Sequence, residues 1–166
     1  MKTGGKVLYL DFDGPLHPEA VYSSAKRGPY LPQALVAAGH RLFEHASLLE
    51  ELLEPYPTLE VVLSTTWAMV YGCSRAAKRL PQRLQARVIG ATFHSRMDET
   101  AFRELSRGRQ VLSDVGRRMP TAWLAIDDVD DGWDGAREHV VITGETLGIA
   151  EPAVLDRLKI ALERFV

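Results

Sequence analysis

Two aspartates stand two residues apart in the run Asp11-Phe12-Asp13-Gly14, and a second acidic group, Asp127-Asp128-Val129-Asp130-Asp131, lies far along the chain. Packed carboxylates raise one another's pKa, so such a cluster is costly unless something neutralises it. A hard cation does so, and an oxygen-only ligand set suits Mg²⁺, which keeps several waters and shares a substrate phosphate. An aspartate carboxylate can also take a phosphoryl group covalently, splitting one difficult displacement into two easier ones. On this reading Asp11 is the nucleophile. Asp13 is the group that protonates the leaving oxygen and later deprotonates water. Gly14 permits the turn that places both side chains. Ser64 offers a hydroxyl and a backbone amide to a phosphate, as does Thr65, although Thr65 and Thr66 also suit a helix cap. Arg107 or Arg109 offers a fixed positive charge just ahead of a helix expected from about Gln110, whose start favours an anion.

These residues matter only if the chain brings them together. Both acidic runs follow short apolar stretches, residues 7–10 and 122–126, and Ser64 follows another, residues 59–63. Each reads as a buried strand that breaks into a turn. Further strands are expected at 88–90 and 139–142. Helical spacing or length is expected over 42–53, 68–80, 82–86, 110–119 and 152–165, with Pro152 suited to a first turn. Residues 92–108 read as irregular. Strands alternating with helices predict an α/β fold: a doubly wound, mainly parallel sheet with helices on both faces. Such sheets bind ligands at the carboxyl ends of their strands. Three strand ends here carry carboxylates or hydroxyls, and if the strands ending at Asp11 and Asp127 are neighbours, both acidic groups converge on one ion.

The 166 residues suit one domain, 1–166, with the proline-rich stretch 15–40 as a flap or loop. The single Cys73 excludes an internal disulfide framework and a cysteine-rich zinc site. No apolar run approaches the ~18 residues of a membrane span, and residues 7–10 are too short for a signal-peptide core, so a cytoplasmic protein is expected. Net charge is −2, yet residues 75–118 hold eleven Arg/Lys against four Asp/Glu, a balance of +7 that leaves −9 elsewhere. Such a segment suits phosphates or nucleic acid, or simply two solvated helix faces.

The four groups, taken in order, resemble the haloacid dehalogenase (HAD) superfamily. Asp11-Phe12-Asp13-Gly14 after an apolar strand is similar to its first motif, and Ser64 after Val-Val-Leu to its second. Arg107 or Arg109 is similar to the third, and Asp127-Asp128 after Trp-Leu-Ala-Ile to the fourth. The resemblance spans residues 7–131 and is nearest to small bacterial phosphatase-like domains, relatives of which occur in RNA-repair proteins. It implies a Mg²⁺-dependent phosphomonoester hydrolase working through an aspartyl-phosphate. Asp11, Asp127, Asp128 and the Asp13 carbonyl would be metal ligands, Ser64 would bind the phosphoryl group, and Arg107 or Arg109 would stabilise it. The third motif is usually lysine, so arginine is a departure, and Arg107 has the offset closer to the family's. Pro15 stiffens a turn that often holds an aliphatic residue. A stretch of 15–40 is too short for a cap domain. That implies an open site for a phosphorylated small molecule or a nucleic-acid end, with no membrane and no obligate protein partner.

Other readings compete. A non-hydrolytic binding or regulatory module would keep the fold, but the intact Asp11/Asp13 pair speaks against it. A receiver domain would need a late strand-end lysine, and no lysine lies between Lys78 and Lys159. A calcium loop at Asp128 lacks its closing glutamate, since position 139 is His. Trp67 reads better as a core aromatic than as a base-stacking one, and His17 is a candidate for the pocket wall. His40, His45, His94 and His139 lack metal-ligand spacing.

Overall fold

In the computed structural model, which describes residues 4–166, the chain begins with β1 (Lys6–Leu10) and an antiparallel hairpin of β2 (Tyr22–Ser24) and β3 (Gly28–Tyr30). Helices α1 (Gln33–Ala37) and α2 (Ala46–Leu52) lead to β4 (Leu59–Leu63), followed by α3 (Thr66–Tyr71), α4 (Cys73–Ala77) and α5 (Gln82–Gln85). Then come β5 (Val88–Ala91), α6 (Glu99–Glu104), α7 (Arg107–Arg118), β6 (Ala122–Asp127), β7 (Val140–Ile142) and α8 (Pro152–Leu162). The central sheet is parallel throughout, in the order β5-β4-β1-β6-β7. This is the expected α/β fold, with β1 at its centre.

Alternation along the strands sorts the core into two layers. Leu8, Leu10, Val61, Leu63, Leu124 and Ile126 face a large cluster with α2, α3, α4, α5 and α8. Val7, Tyr9, Val62 and Ala125 face a smaller one, closed by Val111 of α7 and by Trp133. Because both faces are covered, the strands read as continuous apolar runs rather than alternating ones. Each buried Leu or Val contributes roughly 1.5–3 kcal/mol. The smaller layer also holds a buried polar group. The Tyr9 hydroxyl donates to Asp114 Oδ2 (2.7 Å), and Arg118 donates to both Asp114 oxygens (2.8 and 3.2 Å), tying α7 to β1. Burial, with the Asp114 charge beside it, pushes the Tyr9 phenol far above its ordinary value, so it stays a donor.

Several elements differ from expectation, each for a local reason. The helix expected over 68–80 is two, broken at Gly72, whose φ of 87° is left-handed. Residues 92–108 are not all irregular: Asp98 caps α6 by accepting from the Ala101 amide (3.1 Å). Ser106 caps α7, which therefore starts at Arg107 and not near Gln110. The helix expected over 42–53 is confined to α2, and residues 15–40 contain the β2–β3 hairpin and α1. Among the described residues no helix is long and apolar enough to cross a membrane.

Two glycines of α7 make opposite predictions. A Cβ on Gly108 would lie 2.2 Å from the backbone carbon of Gly132, and the Gly108 amide donates to Asp131 O (2.8 Å). Gly116, by contrast, has nothing within 4 Å of that position. In thermal melts followed by circular dichroism, Gly108→Ala should lower stability by about 1–3 kcal/mol. Gly116→Ala should raise it by about 0.5–1 kcal/mol.

Candidate active site

Register assembles the site. Leu10 pairs with Leu63 on one side and Ile126 on the other. The next residues, Asp11, Ser64 and Asp127, therefore emerge side by side at the carboxyl end of the sheet. The backbone continues this pairing for one more step: the Asp11 amide donates to Ile126 O (3.1 Å) and the Ser64 amide to Leu10 O (2.9 Å). Ligand oxygens of Asp11, Asp127 and Asp128 lie within 4.8 Å of one another. Asp11 Oδ1 accepts from the Phe12 amide (2.9 Å), and Asp127 Oδ1 from the Val129 amide (3.0 Å). Gly14, at φ 102°, leaves the space that Asp128 occupies, since a Cβ there would lie 2.5 Å from the Asp128 side chain.

Arg107 supplies the counter-charge. Its Nη1 lies 3.5 Å from Asp11 Oδ1 and 3.6 Å from Asp127 Oδ2, and it donates to the Ser64 carbonyl. Burial alone would lower its pKa, but the carboxylates of Asp11, Asp127, Asp128 and Asp13 outweigh that and hold the guanidinium charged. Arg109 lies two residues round the helix with its side chain exposed. Of the two arginines, Arg107 is the one brought to the carboxylates.

Asp13 is held from behind. Its Oδ1 accepts from Trp67 Nε1 (2.8 Å) and from His17 Nε2 (2.7 Å). His17 Nδ1 accepts from the Phe43 amide (3.0 Å), which places the ring proton on Nε2. Both donors converge on one oxygen of Asp13, and neither takes Oδ2. His17 thus sits fully buried behind Asp13, not on the pocket wall. Trp67 is a core aromatic, as expected, packed edge-on to Phe12 and Phe43, but its indole N–H reaches the site as well. The His17 and Trp67 roles were missed because their spacing to Asp13 (four and 54 residues) carries no motif. Thr65 turns its hydroxyl to its own helix, accepting from the Trp67 amide (3.2 Å) as the α3 cap.

The cluster is under electrostatic load. Burial first, and then the neighbouring charges of Asp13 and Asp11 respectively, raise the pKa of Asp11 and, more strongly, of Asp127. Burial and Asp11 push Asp128 up to about 7. Three carboxylates face one guanidinium. The donor set fits a hard divalent cation, because it is all oxygen and Asp127 Oδ2 is buried without a hydrogen-bond partner. Ser64 Oγ is likewise buried and unpartnered, on the residue whose carbonyl accepts from Arg107.

The basic segment 75–118 is partly consumed by structure. Arg87 donates to the carbonyls of Leu53, Tyr56 and Leu59, Arg118 is paired with Asp114, and Arg103 with Glu99.

The family model described as "HAD domain in Swiss Army Knife RNA repair proteins" matches residues 7–154. No curated protein and no solved structure matches the chain.

The raised carboxylate pKa values fix the sign of a pH effect. An acid whose folded pKa exceeds its unfolded one binds more protons when folded, so stability falls as pH rises between the two values. For Asp128 that window runs from the ordinary 3.8 to about 7. Metal-free protein should therefore lose melting temperature between pH 5 and pH 7.5. Added Mg²⁺ should raise it more at pH 7.5 than at pH 5, because the cation binds the deprotonated cluster. A Mg²⁺ effect that is equal at both pH values, or larger at pH 5, would remove the carboxylates as its ligands.

Proposed function

Because the chain belongs to the HAD domains of Swiss Army Knife RNA repair proteins, we propose that it is a phosphomonoester hydrolase that works with Mg²⁺ through an aspartyl-phosphate on Asp11. The observation that carries this reading is the meeting of Asp11, Asp127 and Asp128 with Arg107 and the unpartnered Ser64 hydroxyl at three adjoining strand ends. Asp11, Asp127 and Asp128 would hold the cation, with the Asp13 carbonyl as a further ligand. When bound, the cation offsets carboxylate repulsion and stabilises charge on the transferring phosphoryl group.

The chain's own residues do the rest. Asp11 Oδ2, the oxygen not tied to the Phe12 amide, attacks phosphorus. The bond to the leaving oxygen breaks as Asp13 Oδ2 delivers a proton to it. Water then attacks phosphorus, Asp13 Oδ2 takes back a proton, and phosphate departs with Asp11 restored. Arg107 and Ser64 Oγ hold the phosphoryl oxygens in both steps. The family description favours a phosphorylated nucleic-acid end as substrate, and the small β2–β3 flap in place of a cap suits a large one.

Hydrolysis of nitrophenyl phosphate, with and without Mg²⁺, tests this. The native chain should turn over only with metal, and Asp11→Asn should lose essentially all activity; turnover surviving in that variant would end the mechanism. The clasp on Asp13 adds a sharper expectation. General acid catalysis contributes about 10²–10⁴-fold, and more for poor leaving groups. His17→Asn should slow alkyl phosphate hydrolysis by roughly tenfold or more and leave the nitrophenyl ester nearly unchanged. Equal losses on both esters would mean that His17 serves only the fold.

A further inference from the structure

A cavity of about 800 Å³ lies outside the residues of the candidate active site. It flanks β5, one of the sheet's two edge strands, and is bounded by α3 and α4, the loop after β5, and the last turn of α7. Its volume is that of a small-ligand pocket. One part of its wall is apolar, from Met69, Ile89, Phe93 and Met97. Phe93 is braced by Phe102 at 5.2 Å between ring centroids. The other part is basic, from Arg96 and Arg117. Arg117 is steadied by Thr92 O (3.3 Å), and Arg96 has no acidic partner among the described residues. Among the described residues no acidic side chain lines the cavity. Asp114, 3.6 Å from Arg117, is already engaged by Tyr9 and Arg118. His94, also in the wall, is held below its ordinary pKa by burial and by Arg117 and Arg118, against Asp114, so at neutral pH it both donates and accepts.

One edge of the cavity, the loop after β5, starts near the Ser64 strand end. The Thr92 amide donates to Leu63 O (2.9 Å), the residue before Ser64, so the loop bounding the cavity starts one strand spacing, about 4.8 Å, from the Ser64 strand end. An apolar wall beside the Arg96 guanidinium, and beside Arg117, whose partner Asp114 is shared with Arg118, suits a body that is aromatic and anionic together. A peptide strand added to the β5 edge would use the backbone and would have no need of an acid-free, arginine-bearing wall.

We propose that this cavity is a nucleotide subsite. It would hold a base against Phe93 and the adjoining backbone phosphate on Arg96 and Arg117, while the strand's terminal phosphate reaches Asp11. The inference rests on the phosphohydrolase reading and gives its substrate as a phosphorylated single-stranded nucleic acid.

Fluorescence anisotropy with a labelled single-stranded RNA decamer bearing hydroxyl ends, in Mg²⁺, tests binding without any turnover. Nitrophenyl phosphate hydrolysis runs in parallel. The native chain should bind, and Arg96→Ala/Arg117→Ala should weaken binding at least tenfold. The same pair should flatten the log–log salt slope by about 0.7, for the one phosphate they share on a single strand. Phe93→Ala should cost at least about fivefold, the lower end of what one stacked base contributes. All variants should keep nitrophenyl phosphate turnover within about twofold. No binding by the native chain overturns the subsite and leaves the β5 edge to a protein strand. Native-like binding by the variants overturns it equally. A native chain that binds RNA through these residues yet hydrolyses no phosphate ester supports the subsite and removes the phosphohydrolase reading instead.

Discussion

Everything at the candidate active site depends on one constraint, the pairing of Leu10 with Leu63 and with Ile126 in parallel register. Side chains alternate across a strand, so a slip of one residue would turn Asp11 or Asp127 into the core and a leucine or isoleucine into the site. The apolar layers on both faces forbid that slip. The energy of burying Val7 to Leu10 and their partners is thus also the energy that keeps three carboxylates and an arginine together against desolvation. The protein tolerates a strained charge cluster because its anchors are central strands rather than loops.

A second tier of contacts fixes orientation. Gly108 and Gly132 approach so closely that the acidic loop and the first turn of α7 behave as one piece, joined by the Gly108 amide on Asp131 O. Arg107 and the Asp127–Asp128 pair are thereby set relative to each other on either side of that contact. On the opposite side, Asp13 is gripped by His17 and Trp67, whose rings pack with Phe43. The carboxylate proposed to exchange protons is thus aimed by neighbours that stay within the core.

Much of this was legible in the sequence. The α/β class, the three strand ends and the polar residues at them, Asp11, Asp13, Ser64, Asp127 and Asp128, follow from apolar runs that stop at polar residues. The choice between Arg107 and Arg109 was not, because it turns on where α7 begins, and a single capping serine moves that start by a few residues. Helix α6 was hidden for a similar reason, as a short, polar, six-residue helix carries little periodicity and leans on Asp98. Partners distant in the chain were also illegible. Trp67 meets Asp13 only once β1 and β4 lie side by side, and the Tyr9–Asp114–Arg118 group joins elements about a hundred residues apart.

The chain between the first and second motifs leaves and re-enters the core at almost one point. Leu16 O accepts from the His45 amide (2.9 Å), and the Phe43 amide reaches His17. Between these pins lies the β2–β3 hairpin, with β2 exposed and β3 half-buried. Closing a loop whose ends are already joined costs only about 0.6 kcal/mol more for each doubling of its length. Growth of this segment is therefore nearly free for the folded state. The same stem could bear a longer hairpin or a whole added module, and what the site admits can diverge between descendants while its carboxylates stay where they are.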